Sequence, residues 1–318
     1  MNWLKRRIAY ARSTNGAMIS DRGALRYTTG IISDSHLAYT NGAAHFAAAL
    51  NNLDALGADC IISCGDPTVN GTESEWTQYL TAIDDSPFAR ADIYECIGNH
   101  ELYSGVSDGI ALYKQYSNNG VLATASVPYF AQTIQGDRYI FLALEAGQYP
   151  NSVDEFTTAQ LDWLEEELDG YVGTGNIWIV EHSLFQGWGS GDNPTSPGYG
   201  GALQTTSSFP GNARLKSILT AHPDVIMLHG HSHIRLQDRD TYGLVVYAPP
   251  SDGGCHQIHV PSISAQKYFN GAGSLAVDWS LGASQCWLCK VYENVVVFQG
   301  LNAYGGQEID GQNYEIII

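Results

Sequence analysis

Three observations predict an α/β fold. The first third of the chain alternates short apolar, β-branched runs with helical patterns. The last quarter is strand-like almost throughout. Five apolar runs also end at a turn that carries metal-type side chains. They stop before Asp34-Ser35-His36, Gly65-Asp66, Gly98-Asn99-His100-Glu101, Glu181-His182 and His229-Gly230-His231-Ser232-His233. Runs of this kind read as strands buried on both faces. Open α/β sheets bind ligands beyond the carboxyl ends of such strands.

Arg26 to Ser33 is the first expected strand. Asn41 to Leu56 is an expected helix, with Phe46, Leu50, Leu53 and Leu56 near helical spacing and Gly57 as its stop. Strand Asp59 to Cys64 follows. Thr72 and Glu75 then form a capping box that opens a helix to Ile83. Strand Ala91 to Ile97 completes a βαβαβ order, which predicts a parallel sheet with right-handed crossovers. Asp108 to Tyr116 reads as a helix, and Tyr129–Ile134 with Arg138–Leu144 as a hairpin around Gly136-Asp137. A second box, Thr157 with Gln160, opens a helix to Leu168. Strand Asn176–Val180, helix Ala213–Ala221 and strand Val225–Leu228 come next. From Leu244 onward five strands are expected, ending at Gln299.

Ser183 to Asn212 is rich in Gly, Ser, Thr, Asn and Pro, with Trp188, Tyr199 and Phe209 embedded. A long loop with aromatics suits a substrate lid. No repeat or linker divides the chain. Residues 1–26 are expected to form an extension, and 27–318 one two-layered domain.

The chain has 318 residues, and 15 basic against 33 acidic side chains give a net charge of −18. That argues against long nucleic acids as partners, which need a basic footprint. An anionic substrate would need a locally positive site, and bound metal ions supply one. No apolar run approaches the roughly 18 residues of a membrane span. Lys5-Arg6-Arg7 is followed by too short an apolar stretch for a signal peptide, so a cytoplasmic protein is expected. Cys60 and Cys64 are too far apart along one strand to bridge. Cys286 and Cys289 fall on opposite faces of another. All six cysteines read as buried thiols, which fits a reducing compartment.

Singly, an Asp after a strand is a helix cap and a His on an apolar strand is core. Jointly, Asp34, His36, Asp66, Asn99, His182, His231 and His233 are a ligand set. Asp34 and His36 share a face of an extended segment and can bind one metal. His231 and His233 can do likewise or divide between two. Carboxylate, amide and imidazole ligands together suit Mn, Fe or Zn better than Ca or Mg. Seven groups exceed one tetrahedral ion and fit two ions that share a carboxylate.

In order and spacing, these five motifs resemble those of the calcineurin-like metallophosphoesterase superfamily, over positions 34 to 233. The resemblance implies two mixed β-sheets packed as a sandwich flanked by helices, with the site at the strand ends. It implies Asp34, His36 and His233 on a first metal, Asn99, His182 and His231 on a second, and Asp66 as the bridge. It further implies hydrolysis of a phosphomonoester or phosphodiester by in-line attack of a metal-bridging hydroxide. His100 would protonate the leaving oxygen or steady the phosphate. The chain departs from the pattern in places. Many members follow the bridging Asp with an acidic residue that orients the histidine, but here the run is Pro67-Thr68-Val69-Asn70. Glu181 and Ser183 flank His182 where many members carry His and Pro. Val69 stands where the purple acid phosphatases place a tyrosine ligand.

The expected protein is therefore a two-metal phosphoesterase for a small-molecule or nucleotide phosphoester, with no readable code for substrate-binding residues. The reading from another class is a metal-binding structural or interaction module with little or no catalytic activity. A complete ligand set with His100 present favours the enzyme.

Overall fold

The computed structural model describes residues 12–13, 21–145, 155–186, 203, 205–238, 254–269 and 275–318. The expected strand Leu244 to Tyr247, and most of the expected lid between Ser183 and Asn212, lie outside the described residues.

The chain opens with β1 (Arg12–Ser13), β2 (Leu25–Ile32), α1 (Gly42–Ala55), β3 (Cys60–Ser63), α2 (Glu73–Asp84), β4 (Ile93–Glu95) and α3 (Val106–Tyr116). It continues through β5 (Phe130–Ile134), β6 (Asp137–Phe141), α4 (Thr158–Gly170), β7 (Ile177–Val180), α5 (Pro210–Ala221) and β8 (Ile226–His229). Six further strands follow: β9 (His256–His259), β10 (Gln266–Phe269), β11 (Leu275–Asp278), β12 (Gln285–Tyr292), β13 (Val295–Asn302) and β14 (Gln307–Ile317).

Two mixed sheets result. The first has the order β1-β14-β13-β12-β2-β3-β4, and the second β5-β6-β7-β8-β9. The expected parallel unit β2-β3-β4 is extended on its open side by β12, antiparallel to β2 with Trp287 opposite Ile31. In the second sheet the β5–β6 hairpin leads into parallel β6 to β9. β10 and β11 form a separate antiparallel pair.

Period-two alternation sorts the strands' side chains between two layers. Ile31, Ile62, Trp178, Val180, Leu228, Trp287 and Phe298 belong to one buried cluster drawn from both sheets, which is the interior of the sandwich. Their neighbours Ile32, Ile61, Ile179 and Met227 belong to another, shared with Phe46, Trp76, Leu164 and Leu215 of the helices. Cys289 lies in the first layer and Cys286 in the second, on opposite faces of β12. All six cysteines are buried and unpaired.

Local chemistry fixes the helix starts. Thr72 Oγ1 accepts the Glu75 N–H at 3.3 Å, and Glu75 Oε2 accepts the Thr72 N–H at 3.2 Å, closing the box on α2. The second box is only half formed. Thr157 Oγ1 accepts the Gln160 N–H, but the Gln160 amide pairs with the backbone N–H and carbonyl of Ala143. That buried amide satisfies backbone groups beyond the end of β6, which outweighs a cap that water could replace.

Three strands depart from expectation, the first being β1, which falls within the expected N-terminal extension and pairs with β14. β14, with Glu308, Asp310 and Glu315, is longer than any strand the pattern predicts and pairs with β13 and β1. Glu308 and Asp310 are exposed, while Glu315 is buried and paired with Arg22, and charges spread along a strand in this way hide it from a search for apolar runs. β10 is polar for a different reason, described below.

Candidate metal centre

Every expected ligand sits just beyond the carboxyl end of a strand: Asp34 and His36 after β2, Asp66 after β3, Asn99 after β4, His182 after β7, and His231 and His233 after β8. The sheets bring them together in two clusters that share one carboxylate. Ligand atoms of Asp34, His36, Asp66 and His233 all lie within 4.8 Å of one another, as do those of Asp66, His182 and His231. Asn99 joins the second cluster, its Oδ1 2.9 Å from His231 Nδ1 and 3.0 Å from His182 Nε2. The Asn99 amide nitrogen donates to Tyr103 Oη at 2.9 Å, which turns Oδ1 inward.

Each carboxylate has one anchored oxygen and one bare one. Asp34 Oδ2 accepts from Ser33 Oγ at 2.5 Å and from the His231 N–H at 3.0 Å. Asp66 Oδ1 accepts the His100 N–H at 2.9 Å. Asp34 Oδ1 and Asp66 Oδ2 are buried, accept no hydrogen bond, and lie 2.8 Å from His233 Nε2 and 3.1 Å from His182 Nε2.

Backbone carbonyls fix the tautomers. His36 Nδ1 faces Thr68 O at 2.8 Å, His182 Nδ1 faces Cys64 O at 2.6 Å, and His233 Nδ1 faces Ala265 O at 2.9 Å. A carbonyl only accepts, so each Nδ1 carries a proton, and each ring turns its Nε2 to the cluster, as a lone pair whenever the ring is neutral. Lone pairs and bare carboxylate oxygens thus converge in a buried space, with the Nε2 atoms of His36 and His233 only 3.3 Å apart. Such an arrangement is repulsive without cations among them, and the donor set fits Mn, Fe or Zn.

The titration directions agree. Burial, with His100 alongside, pulls His36 down to about 3. Burial, with His182 alongside, does the same to His231, again to about 3. Burial also opposes a charge on His182, but Asp66 and Asp34 hold it up at about 10. A bound cation would take the place of that proton. For Asp66, burial works against ionisation, yet His182 and His100 outweigh it and keep the carboxyl well below its usual range.

The backbone is bent to make this set. Asp34, His36, Asp66, His231 and His233 all have positive φ, between 39° and 68°. Left-handed backbone is uncommon for residues other than glycine, and its gathering in one place marks a site held by its surroundings. Two glycines make the approach possible. A Cβ on Gly98 would collide with Asp66 Oδ1, and one on Gly230 with Ser33 Oγ.

His100 stands over the shared carboxylate, its Nε2 3.9 Å from Asp66 Oδ2, at the wall of a cavity of about 430 Å³. Its Nδ1 faces Val69 O at 2.6 Å. The group that orients this ring is therefore a backbone carbonyl, and a backbone carbonyl leaves no signal in sequence. Glu101, quoted in the motif without a role, proves to be the clamp beneath the centre. Its oxygens accept the N–H groups of Asp66, Gly98 and Thr68, and the Thr68 hydroxyl, at 2.7–3.1 Å. His229, His256 and His259, which belong to neither cluster, are buried, with the His229 and His259 rings 5.7 Å apart.

The structure of PhoD is similar to this chain with a TM-score of 0.53 at 10% identity, over 87% of this chain and 66% of that one. The purple acid phosphatase PPD1 from yellow lupin (Lupinus luteus) seeds gives 0.53 at 13%, over 92% and 54%. GAP50, described as the anchor in the inner membrane complex of Plasmodium, gives 0.53 at 12%, over 92% and 89%. The chain thus spans less than two thirds of the first two proteins' lengths, and identities this low show the fold alone. No curated protein matches the sequence significantly. The family model for calcineurin-like phosphoesterases matches residues 27–235. That match exceeds half of the chain and takes in every residue of both clusters, so the chain belongs to the calcineurin-like phosphoesterase family.

Proposed function

We propose that this protein is a two-metal phosphoesterase that hydrolyses a small-molecule or nucleotide phosphoester. The observation that carries the reading is Asp66, shared by two buried ligand clusters with His100 directly above it. Asp34, His36 and His233 would hold one cation, Asn99, His182 and His231 the other, and Asp66 would bridge. Bound there, two ions of Mn, Fe or Zn supply a lowered water pKa and positive charge against the phosphate. The chain's own residues do the rest. Val69 O keeps the His100 ring turned so that Nε2 faces the cavity. From there the imidazole would deliver a proton to the leaving oxygen. Glu101 and Gly98 keep Asp66 in place while charge moves above it.

We read 27–318 as one domain and the segment 183–212 as its lid. The six unpaired buried cysteines support a reducing, cytoplasmic setting. Among the described residues no helix is long and apolar enough to cross a membrane. The alternative, a metal-binding interaction module, finds support in GAP50, a protein of similar fold described as an anchor.

The experiment is to strip the protein with a chelator, reload it with manganese, and follow a chromogenic phosphodiester beside its phosphomonoester. Metal-dependent turnover of either supports the enzyme, and the ratio separates diesterase from monoesterase. No turnover with two metals bound per chain would overturn it in favour of the module.

A further inference from the structure

The cavity beside His100 has a second wall that no motif announces. β10 and β11 pair with Lys267 opposite Val277. Cross-strand partners point to the same face, and Trp279, two residues beyond Val277, continues that face past the end of β11. Lys267, Val277 and Trp279 all line the cavity, together with Tyr39, His100 and Tyr103. The wall is fixed to the metal loop by backbone. The Lys267 N–H donates to His233 O at 2.7 Å, and Lys267 O accepts the Arg235 N–H at 2.9 Å. Lys267 therefore keeps register with His233.

We propose that the β10–β11 pair is the substrate-recognition wall of this site, where Lys267 binds a non-bridging phosphoryl oxygen and Val277, Trp279 and Tyr39 hold an aromatic or otherwise planar ester group. This deepens the phosphoesterase reading and rests on it.

Charge supports the role of Lys267. In a chain of net charge −18, it is the only lysine or arginine among the described residues that line the cavity. It lines the cavity together with Asp66, His100, His231 and His233, where a phosphoryl group above the two clusters would meet it.

Exposure supports the role of the apolar wall. Trp279 is 42% exposed and Val277 38%, although both face a cavity rather than open surface. The Tyr39 ring stands edge-on to Trp279 at 5.2 Å and lies 4.7 Å from His36. Asn41 Nδ2 donates to Trp279 O at 3.1 Å and holds the indole's backbone at the rim. A partly exposed indole braced at the rim of the cavity offers a planar ester group area to stack on.

The test uses manganese-loaded protein and the variants Trp279→Ala, Trp279→Phe, Lys267→Met and Lys267→Arg, each compared with the parent protein on the same ester. For Trp279→Ala, the ratio of kcat/KM on phenyl phosphate to that on glycerol 2-phosphate should fall roughly five- to tenfold, with Trp279→Phe keeping most of it. Lys267→Met should lower kcat/KM on both esters by roughly ten- to a hundredfold, and Lys267→Arg should restore part, which separates lost charge from lost fold. An unchanged ratio in Trp279→Ala, or full activity in Lys267→Met, overturns the assignment. Calorimetry with phenylphosphonate and methylphosphonate requires no turnover. The phenyl compound should bind more tightly, and Trp279→Ala should erase the difference. Equal affinities in the parent protein overturn the wall. Phosphonate discrimination without hydrolysis of any ester would instead overturn the phosphoesterase reading and leave the wall standing.

Discussion

Glu101 and Asp66 hold each other's loops. Glu101 Oε2 accepts the Asp66 N–H at 3.1 Å, while Asp66 Oδ1 accepts the N–H of His100, the neighbour of Glu101, at 2.9 Å. Burial and Asp66 push Glu101 up to about 8, against four donors that favour its charged form. An amide offers one accepting oxygen, so Glu101→Gln leaves two of those donors facing an NH2 group. Stability should fall by roughly 1–3 kcal/mol. Metal affinity should fall by about ten- to a hundredfold, as for other groups that orient a ligand. Chelator titration followed by metal analysis checks this, and unchanged retention would refute the clamp.

His100→Ala should lower kcat by roughly 10²- to 10⁴-fold, the usual worth of a positioned proton donor. Bound metal should remain at the parent level, because His100 belongs to neither cluster. Equal turnover in the two proteins would remove His100 from the chemistry.

Glu95 provides a pH test away from the centre. It is buried with the Tyr79 hydroxyl donating to it at 2.8 Å, and burial raises it from 4.5 to about 7. The folded chain therefore holds this proton more tightly than the unfolded chain. The stability so gained is complete below about pH 4.5 and is lost as pH climbs through about 7. Glu95→Gln should flatten that slope and raise the unfolding free energy at alkaline pH, by about 3 kcal/mol at most. Parallel stability curves for the two proteins between acid and alkaline pH would refute the shift.

Asp137 ties the sheets together at the end of the sandwich away from the metal loops. Tyr27 Oη at 2.6 Å, Trp178 Nε1 at 3.1 Å and the Asn176 side chain at 3.0 Å donate to it, with Arg26 paired alongside. Asp137→Ala removes this shared buried acceptor and should cost roughly 3–5 kcal/mol. The surviving folded protein should keep its kcat. Denaturant melts and active-site-normalised rates separate the two effects.

The candidate ligand set is legible because strands buried on both faces leave continuous apolar runs, and the polar residues that end them stand out. Asp34, Asp66, Asn99, His182 and His231 are candidates on this ground, and the βαβαβ order gives β2, β3 and β4 as neighbours. The insertion of β12 beside β2 was not legible, since nothing local to Trp287 names Ile31 as its partner. Lys267 was missed for a related reason. It works through a tertiary position beside His233, 34 residues away, on a strand too short and polar to register. Val69 was read for its absent side chain, and the group that matters there is its carbonyl oxygen.

The pairing of β12 with β2 also orders events during synthesis. β2 finds β3 and β4 within the first third of the chain, but its other edge stays open until residues 285–292 exist. An apolar strand with one bare edge invites pairing with the wrong chain, and domains assemble as they emerge. The strand that delivers Asp34 and His36 is thus begun first and finished almost last. Arresting translation just before residue 285 should leave a nascent chain that holds every motif residue yet depends on chaperones to stay unaggregated.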